Sequence, residues 1–157
     1  MSKTQQSGHI YRAAKDFYEL GILGFNDGDF LAKHVMAIVA NFALSVELFL
    51  KASDAKVTPS LRSKKGPLGP AKIQSNVWGH DLLEVFNDID KSVANQLESA
   101  FEEITNRPLL PLLEKCKDYF VNARYHYEKL GAYDVTGIKV LAEGIDAALI
   151  KSFGSTA

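Results

Sequence analysis

The sequence is poor in cysteine, in net charge and in long apolar runs. Its one cysteine, Cys116, excludes an intramolecular disulfide and favours a reducing compartment. The net charge is -1, so no overall field attracts the chain to nucleic acid or to anionic lipid. The first residues show no apolar core of a signal peptide, and no run approaches the roughly 20 residues of a membrane span. We therefore expect a cytoplasmic protein without a membrane segment.

Residue clusters that hold metals are also missing from the sequence. His9 and His34 stand at no metal-ligand spacing, so we expect no metal ion and no cofactor. Cys116 falls within an apolar stripe, which predicts a buried and inert thiol. The residue pattern alone identifies no catalytic residue.

Helical periodicity is what the sequence does contain. The predicted helices cover about 9–25, 30–52, 80–90, 91–104, 108–130 and 135–153. Asp81, with Glu84 three residues later, resembles a capping box at the start of the third helix. No strand is predicted, and 157 residues suit one domain spanning residues 1–157. The expected fold class is all-α, an antiparallel bundle of four to six helices.

Residues 53–78 interrupt this pattern with three prolines and two glycines. We predict an irregular loop here, and such loops are often functional. The loop is basic, with candidate phosphate-binding residues Arg62, Lys64, Lys65 and Lys72, because clustered Lys and Arg mark nucleic-acid sites. A simpler interpretation stays open, in which a solvated loop lies beside the acidic segment 81–104.

Two predicted helices each place one charge inside an apolar stripe. At about 100° per residue, Arg124 falls in the stripe of Phe120, and Glu47 falls in the stripe of the second helix. Isolated buried charges are very costly, so the opposite signs predict a Glu47–Arg124 pair. Lys51 lies four residues from Glu47, and Glu128 lies four residues from Arg124, so each is expected to share the pair. Either a buried network that fixes helix register or a polar ligand pocket between helices would explain this arrangement.

Three short stretches carry a resemblance to a known family. They are LSVELFLKA at 44–52, GHDLLEVF at 79–86 and ARYHYE at 123–128. In this order and separation they resemble the HEPN superfamily, helical domains of higher eukaryotes and prokaryotes. The resemblance implies a bundle of four or five helices, often a homodimer, in a setting of RNA cleavage, nucleotide binding or toxin–antitoxin partnership.

The resemblance does not extend to the family's catalytic motif. Catalytic members carry Arg, four to six intervening residues and then His, which two subunits combine into a metal-independent RNA-cleaving site. In this sequence no His stands at that distance after Arg12, Arg62, Arg107 or Arg124. Nothing in the expected position serves as general acid or base, so we do not expect the family's ribonuclease activity.

The expected function is therefore a non-catalytic HEPN-like binding module, a homodimer that binds a nucleotide, RNA or protein partner in a defence or toxin–antitoxin setting. Two alternatives stay open: a divergent metal-independent ribonuclease using Arg124 with His126 or His80, and a purely structural partner subunit. The residues expected to line or brace the polar centre are Glu47, Lys51, His80, Asp81, Arg124 and Glu128.

Overall fold

The computed structural model describes residues 5–58, 62–63, 66–67, 72–126 and 132–154, without the side chains at 57–58, 62–63, 66–67 and 72. The described residues form an all-α helical bundle with a small β excursion, which confirms the predicted fold class. The helices are α1 (Gly8–Phe25), α2 (Gly28–Ser53), α3 (Leu82–Asp88), α4 (Lys91–Thr105), α5 (Leu109–Cys116), α6 (Tyr119–Arg124) and α7 (Val135–Phe153).

Helices α1 and α2 form a tight hairpin. Only residues 26–27 separate them, and such a short connection makes the two helices antiparallel neighbours. The Asp27 carboxylate accepts the Phe30 N–H at 3.0 Å and so caps the start of α2. The helices approach closely at Gly21, where an added Cβ would lie 2.9 Å from the Phe42 ring.

Helix α2 is the central helix of the bundle, in contact with α1, α3, α6 and α7. It bends at His34, whose backbone is not helical (φ −128°, ψ 30°). Contrary to the sequence-based expectation, α2 is long and apolar enough to cross a membrane by length and composition alone. Its most apolar 18-residue window is 56% buried within the bundle, as in the core helix of a soluble protein.

The remaining helices complete the core around α7. Helix α4 packs against α7, and α5 packs against both α7 and α3. Phe101 of α4 is fully buried against Gly144 of α7. The largest fully buried side chains are Phe42, Phe49, Phe101, Leu50, Leu82, Leu97, Leu109, Leu113, Ile138, Leu141, Ile145 and Val39.

The prediction that the segment at 53–78 is irregular and contains no strand is wrong for residues 55–58, 62–63, 66–67 and 72–75. Strand β1 (Ala55–Thr58) pairs antiparallel with β4 (Lys72–Ser75), with Ala55 opposite Ser75. Between them, β2 (Arg62–Ser63) pairs with β3 (Gly66–Pro67). Backbone hydrogen bonds define these short ladders, and short strands with little apolar alternation give no period-two signal in the sequence.

The single helix predicted at about 108–130 is also wrong in part, because residues 117–118 separate α5 from α6. Asp118 has a non-helical backbone (φ −103°, ψ 7°). At this break the Lys117 carbonyl accepts the Leu82 N–H at 3.1 Å, so the break supplies a hydrogen bond to the start of α3. The described part of the chain therefore contains seven helices where the sequence predicts six.

Candidate functional site

A buried carboxylate forms the centre of the candidate site. Glu47 lies on the inner side of α2 with 2% of its surface exposed, which confirms its predicted place on the apolar stripe. Lys51 Nζ donates to Glu47 Oε1 at 2.7 Å, and His80 Nδ1 lies 2.9 Å from Oε2. Each carboxylate oxygen therefore has one nitrogen partner, which satisfies a charge that is costly to bury alone.

The three residues Gly79, His80 and Asp81 each have a separate structural role. Gly79 has a positive φ of 100°, a backbone conformation that favours glycine, and its carbonyl accepts a hydrogen bond from Lys51 Nζ at 2.9 Å. His80 contacts Glu47. Asp81 Oδ1 accepts the N–H groups of Leu83 and Glu84 and caps α3, as predicted. The stretch thus ties the start of α3 to α2.

The predicted Glu47–Arg124 ion pair is wrong. Arg124 is exposed at the end of α6, and no ion pair within the described ranges joins it to Glu47. The buried residues of α6 are Tyr119, Phe120 and Ala123. On a helical wheel with about 100° per residue, the mean direction of these three side chains lies about 90° from that of Arg124. Arg124 therefore falls at the edge of the buried face. The predicted stripe treats α5 and α6 as one continuous helix, so it misplaces this face where the helix is broken at 117–118.

Arg124 nevertheless lies close to the Glu47 site. Its Cζ lies 4.6 Å from the centre of the Phe120 ring, and the His80 ring centre lies 5.3 Å from the same ring. The Arg124 Cζ atom and the His80 ring centre are therefore at most about 10 Å apart, the sum of these two distances. Arg124 Cζ is also 5.1 Å from the Tyr125 ring centre. Arginine on aromatic rings is a favourable cation–π arrangement.

We call His80, Phe120, Arg124 and Tyr125 the aromatic–cationic face, and the exposed Trp78 precedes His80 by two residues in the chain. Phe120 is buried, whereas Trp78 is 70% exposed and the His80 side chain is 49% exposed. The face thus presents the His80 and Tyr125 rings and the Arg124 guanidinium to solvent, and the buried Glu47 carboxylate contacts His80 Nδ1.

The structure does not join His126 to Arg124. His126 Nδ1 lies 3.3 Å from the Tyr133 hydroxyl, and its ring lies 5.8 Å from the Tyr133 ring. Glu128 lies outside the described residues, as do Lys64 and Lys65. Arg62 and Lys72 lie in β2 and β4, but their side chains are outside the description. Across the described ranges, no group of three or more His, Cys, Asp and Glu side chains is placed to hold a metal ion.

Sequence reasoning missed a second buried carboxylate, Asp146 of α7. It is 7% exposed, and it links α7 to α1 by accepting from the Tyr11 hydroxyl at 2.5 Å and from Lys15 Nζ at 2.9 Å. Burial, followed by the bond to Asp146, raises the pKa of Tyr11. The available signal was the position of Asp146 four residues after Ala142 and three before Leu149, both on the apolar stripe.

A third buried carboxylate, Asp54, lies where α2 ends. Its two oxygens accept the side-chain amide of Asn76 at 2.7 Å and the N–H of Asp90 at 3.0 Å. These bonds hold the end of β4 and the start of α4 against α2. Because its partners are an amide and a backbone N–H, no charge pattern in the sequence reveals this group.

No protein-family model matches this chain, and neither a curated protein nor a solved structure matches it significantly.

Proposed function

We propose that this chain is a non-catalytic, HEPN-like binding module that acts as a homodimer and binds RNA or a nucleotide on the aromatic–cationic face. The observation that supports the ligand class is the exposed Arg124 guanidinium, 4.6 Å from the Phe120 ring centre. Within the described residues no carboxylate pairs with it. An exposed guanidinium can contact a phosphate, and Arg is the side chain best suited to bidentate phosphate contacts.

The aromatic residues of the face add the second half of the chemistry. Single-stranded nucleic acid is bound by rings on which bases stack, combined with cations that follow the backbone. Trp78, two residues before His80 in the chain, offers a further exposed ring. Aromatic residues and Arg are also enriched in protein–protein interfaces, so a protein partner, the other ligand class that the resemblance implies, is the alternative that the binding test must separate.

Binding of a labelled single-stranded oligouridylate, followed by fluorescence anisotropy, tests the proposal. Arg124→Ala is expected to weaken binding about tenfold, since one stacking or phosphate contact is worth about 1–3 kcal/mol. Arg12→Ala is the matched control, because Arg12 is also an exposed arginine but lies on α1. It should bind like the wild type. Equal losses in both variants, or no binding of oligouridylate or of any nucleotide, would count against the proposal and favour a purely structural subunit.

One observation favours a second candidate, the divergent metal-independent ribonuclease that uses Arg124 with His80. The Glu47 carboxylate orients the His80 ring through Nδ1, as carboxylates orient catalytic histidines in other hydrolases, and Arg124 lies within about 10 Å. Incubation with RNA in the presence of a chelator separates the two functions. Intact RNA supports the binding module, whereas cleavage that disappears in both His80→Gln and Arg124→Ala supports the nuclease.

A further inference from the structure

The first part of α2 leaves apolar side chains exposed. None of residues 28–37 is fully buried: Leu31 and Val35 are half-buried against the core, whereas Phe30 and Met36 are exposed. The second part of the same helix, from Ile38 onward, supplies much of the core. Apolar surface left uncovered in this way is typical of an interaction site.

A groove runs along this uncovered surface, between α2 and the end of α1. Its volume is about 570 Å³. Gly24 and Ile38 form its floor, since a Cβ added at Gly24 would lie 2.9 Å from Ile38 Cγ1. Leu20, Leu23 and Phe30 form its rim and are 56%, 72% and 47% exposed. We call these five residues the tip groove.

The tip groove has a depression and, at its rim, protruding side chains that could fill the same depression on a second copy. Leu23 is the most exposed large apolar residue among those described, and the groove beside it has room for more than one aliphatic side chain. An interface with two-fold symmetry requires this combination, because one surface patch must be complementary to itself. A partner of another kind would need only the groove.

Charges of both signs lie beside the groove. On α1, Asp16 and Glu19 precede Leu20 and Leu23 by four residues, so they continue the same wall. At the start of α2, Asp27 lines the groove, where its carboxylate already caps the helix, and Lys33 follows Phe30 by three residues. No ion pair engages Asp16, Glu19 or Lys33 in the part of the chain that the structure describes.

We propose that the tip groove is the homodimer interface, filled by Leu20 and Leu23 of a second copy of this chain. In a two-fold pairing of the α1–α2 hairpins, the acidic wall of α1 faces the partner's Lys33, and the reverse contact forms at the same time. Apolar burial holds the centre of the interface, and complementary charges at its rim select the antiparallel register. The inference rests on the homodimer of the proposed function and adds its location.

Sedimentation equilibrium of the full chain from about 1 to about 200 µM tests the interface, a range that detects micromolar dissociation constants. The wild type is expected to dimerise. Leu23→Glu is expected to raise the dissociation constant at least about 100-fold, because the two-fold axis buries two copies of the new charge. Ile150→Glu is the matched control: Ile150 is 48% exposed on α7, away from the groove, and its dimer should be unchanged.

Charge reversal provides a second, milder variant in case Leu23→Glu affects folding. Lys33→Glu should weaken the dimer about fivefold, and adding Asp16→Lys and Glu19→Lys should restore it. A wild type that stays monomeric overturns the proposal and leaves the groove to a different occupant. A dimer that tolerates Leu23→Glu, or one that Lys33→Glu does not weaken, also overturns it.

The same samples distinguish failure of the interface from failure of the proposed ligand. A wild-type monomer that binds oligouridylate contradicts the interface alone. A dimer that is lost in Leu23→Glu but binds no oligouridylate or nucleotide contradicts the ligand alone.

Discussion

The buried carboxylate of Glu47 and the half-exposed ring of His80 are joined across 33 residues of sequence, with Nδ1 2.9 Å from Oε2. Lys51 occupies the other carboxylate oxygen and reaches the Gly79 carbonyl. The polar centre of the bundle therefore fastens the turn before α3 to α2. The exposed cation Arg124 lies beside this centre, since Arg124 and His80 both contact the Phe120 ring.

Removing Glu47 should destabilise the fold strongly. Glu47→Ala leaves the Lys51 ammonium, 15% exposed, without its carboxylate, and loss of one partner of a buried pair costs about 3–5 kcal/mol. Arg124→Ala should cost only about 0.5–1 kcal/mol, the value of an exposed cation–π contact. Urea denaturation gives both free energies of unfolding.

A double-mutant cycle then shows which residue is coupled to Glu47. Glu47→Ala and Lys51→Met should be strongly non-additive, whereas Glu47→Ala and Arg124→Ala should add to within about 0.5 kcal/mol. A large coupling energy between Glu47 and Arg124 would mean that the two charges do meet, contrary to their separation in the structure.

Acid should remove a stabilising contribution of Asp134, the residue that caps α7. The bond from Lys115 Nζ (2.8 Å), followed by the bond from the Gly137 N–H (2.8 Å), lowers the pKa of Asp134. A carboxyl whose pKa is lower in the folded state binds more protons when unfolded. Its contribution is therefore complete above the unfolded pKa of about 4 and is lost as the pH falls through the folded pKa.

Urea denaturation of the wild type and Asp134→Asn at pH 7 and pH 3 measures this contribution. Asn also accepts the Gly137 N–H, so the variant keeps the cap and isolates the charge. Its stability should fall less between pH 7 and pH 3 than that of the wild type. Asp134→Ala, which also removes the cap, should cost about 1 kcal/mol at pH 7. The same pH dependence in wild type and Asp134→Asn would contradict the role of the charge.

The helix bounds and the buried Glu47 follow from the sequence because they depend on local periodicity. Helix α7 runs from Val135 to Phe153, as predicted, and Glu47 lies inside because α2 continues without a break from Ile38 to Ser53. The same reasoning fails at Arg124. A tertiary hydrogen bond, from the Leu82 N–H to the Lys117 carbonyl, accompanies the break before α6, and periodicity carries no information about such a bond.

The direct contact between His80 and Glu47 was beyond sequence reasoning for a related reason. His80 is expected in the polar centre, but its ring reaches Glu47 only through the path of the chain around Gly79, which spacing does not reveal. The strands at 55–58 and 72–75 pair through backbone groups, which every sequence possesses. The sequence did reveal that Glu47 needs a positive partner: of the two it indicated, Lys51 at four residues' distance is confirmed and Arg124 is wrong.

The thiol of Cys116 should be unreactive in the folded protein. It is fully buried between helices, and burial raises its pKa to about 12, so almost none is thiolate near neutral pH. A colorimetric disulfide reagent at pH 8 should label no thiol in the native chain and one thiol in urea. Fast labelling without denaturant would show that α5 opens readily, because the reagent cannot otherwise reach the sulfur.

Close packing between α4 and α7 should make Gly144 intolerant of even one methyl group. A Cβ there would lie 2.3 Å from Phe101 Cε2 and 2.8 Å from Thr105 Cγ2. The Phe101 ring is fully buried and has no free space to move into, so the strain of about 1–3 kcal/mol outweighs the roughly 1 kcal/mol by which Ala favours a helix over Gly. Gly144→Ala should therefore lower the melting temperature.

Gly28→Ala separates this packing effect from helix propensity. Gly28 opens α2, and nothing lies within 4 Å of an added Cβ. The substitution should leave the free energy of unfolding unchanged or raise it by up to about 1 kcal/mol, so the melting temperature should not fall. If Gly144→Ala were as stable as Gly28→Ala, α4 and α7 would have to stand farther apart than the Phe101–Gly144 contact allows.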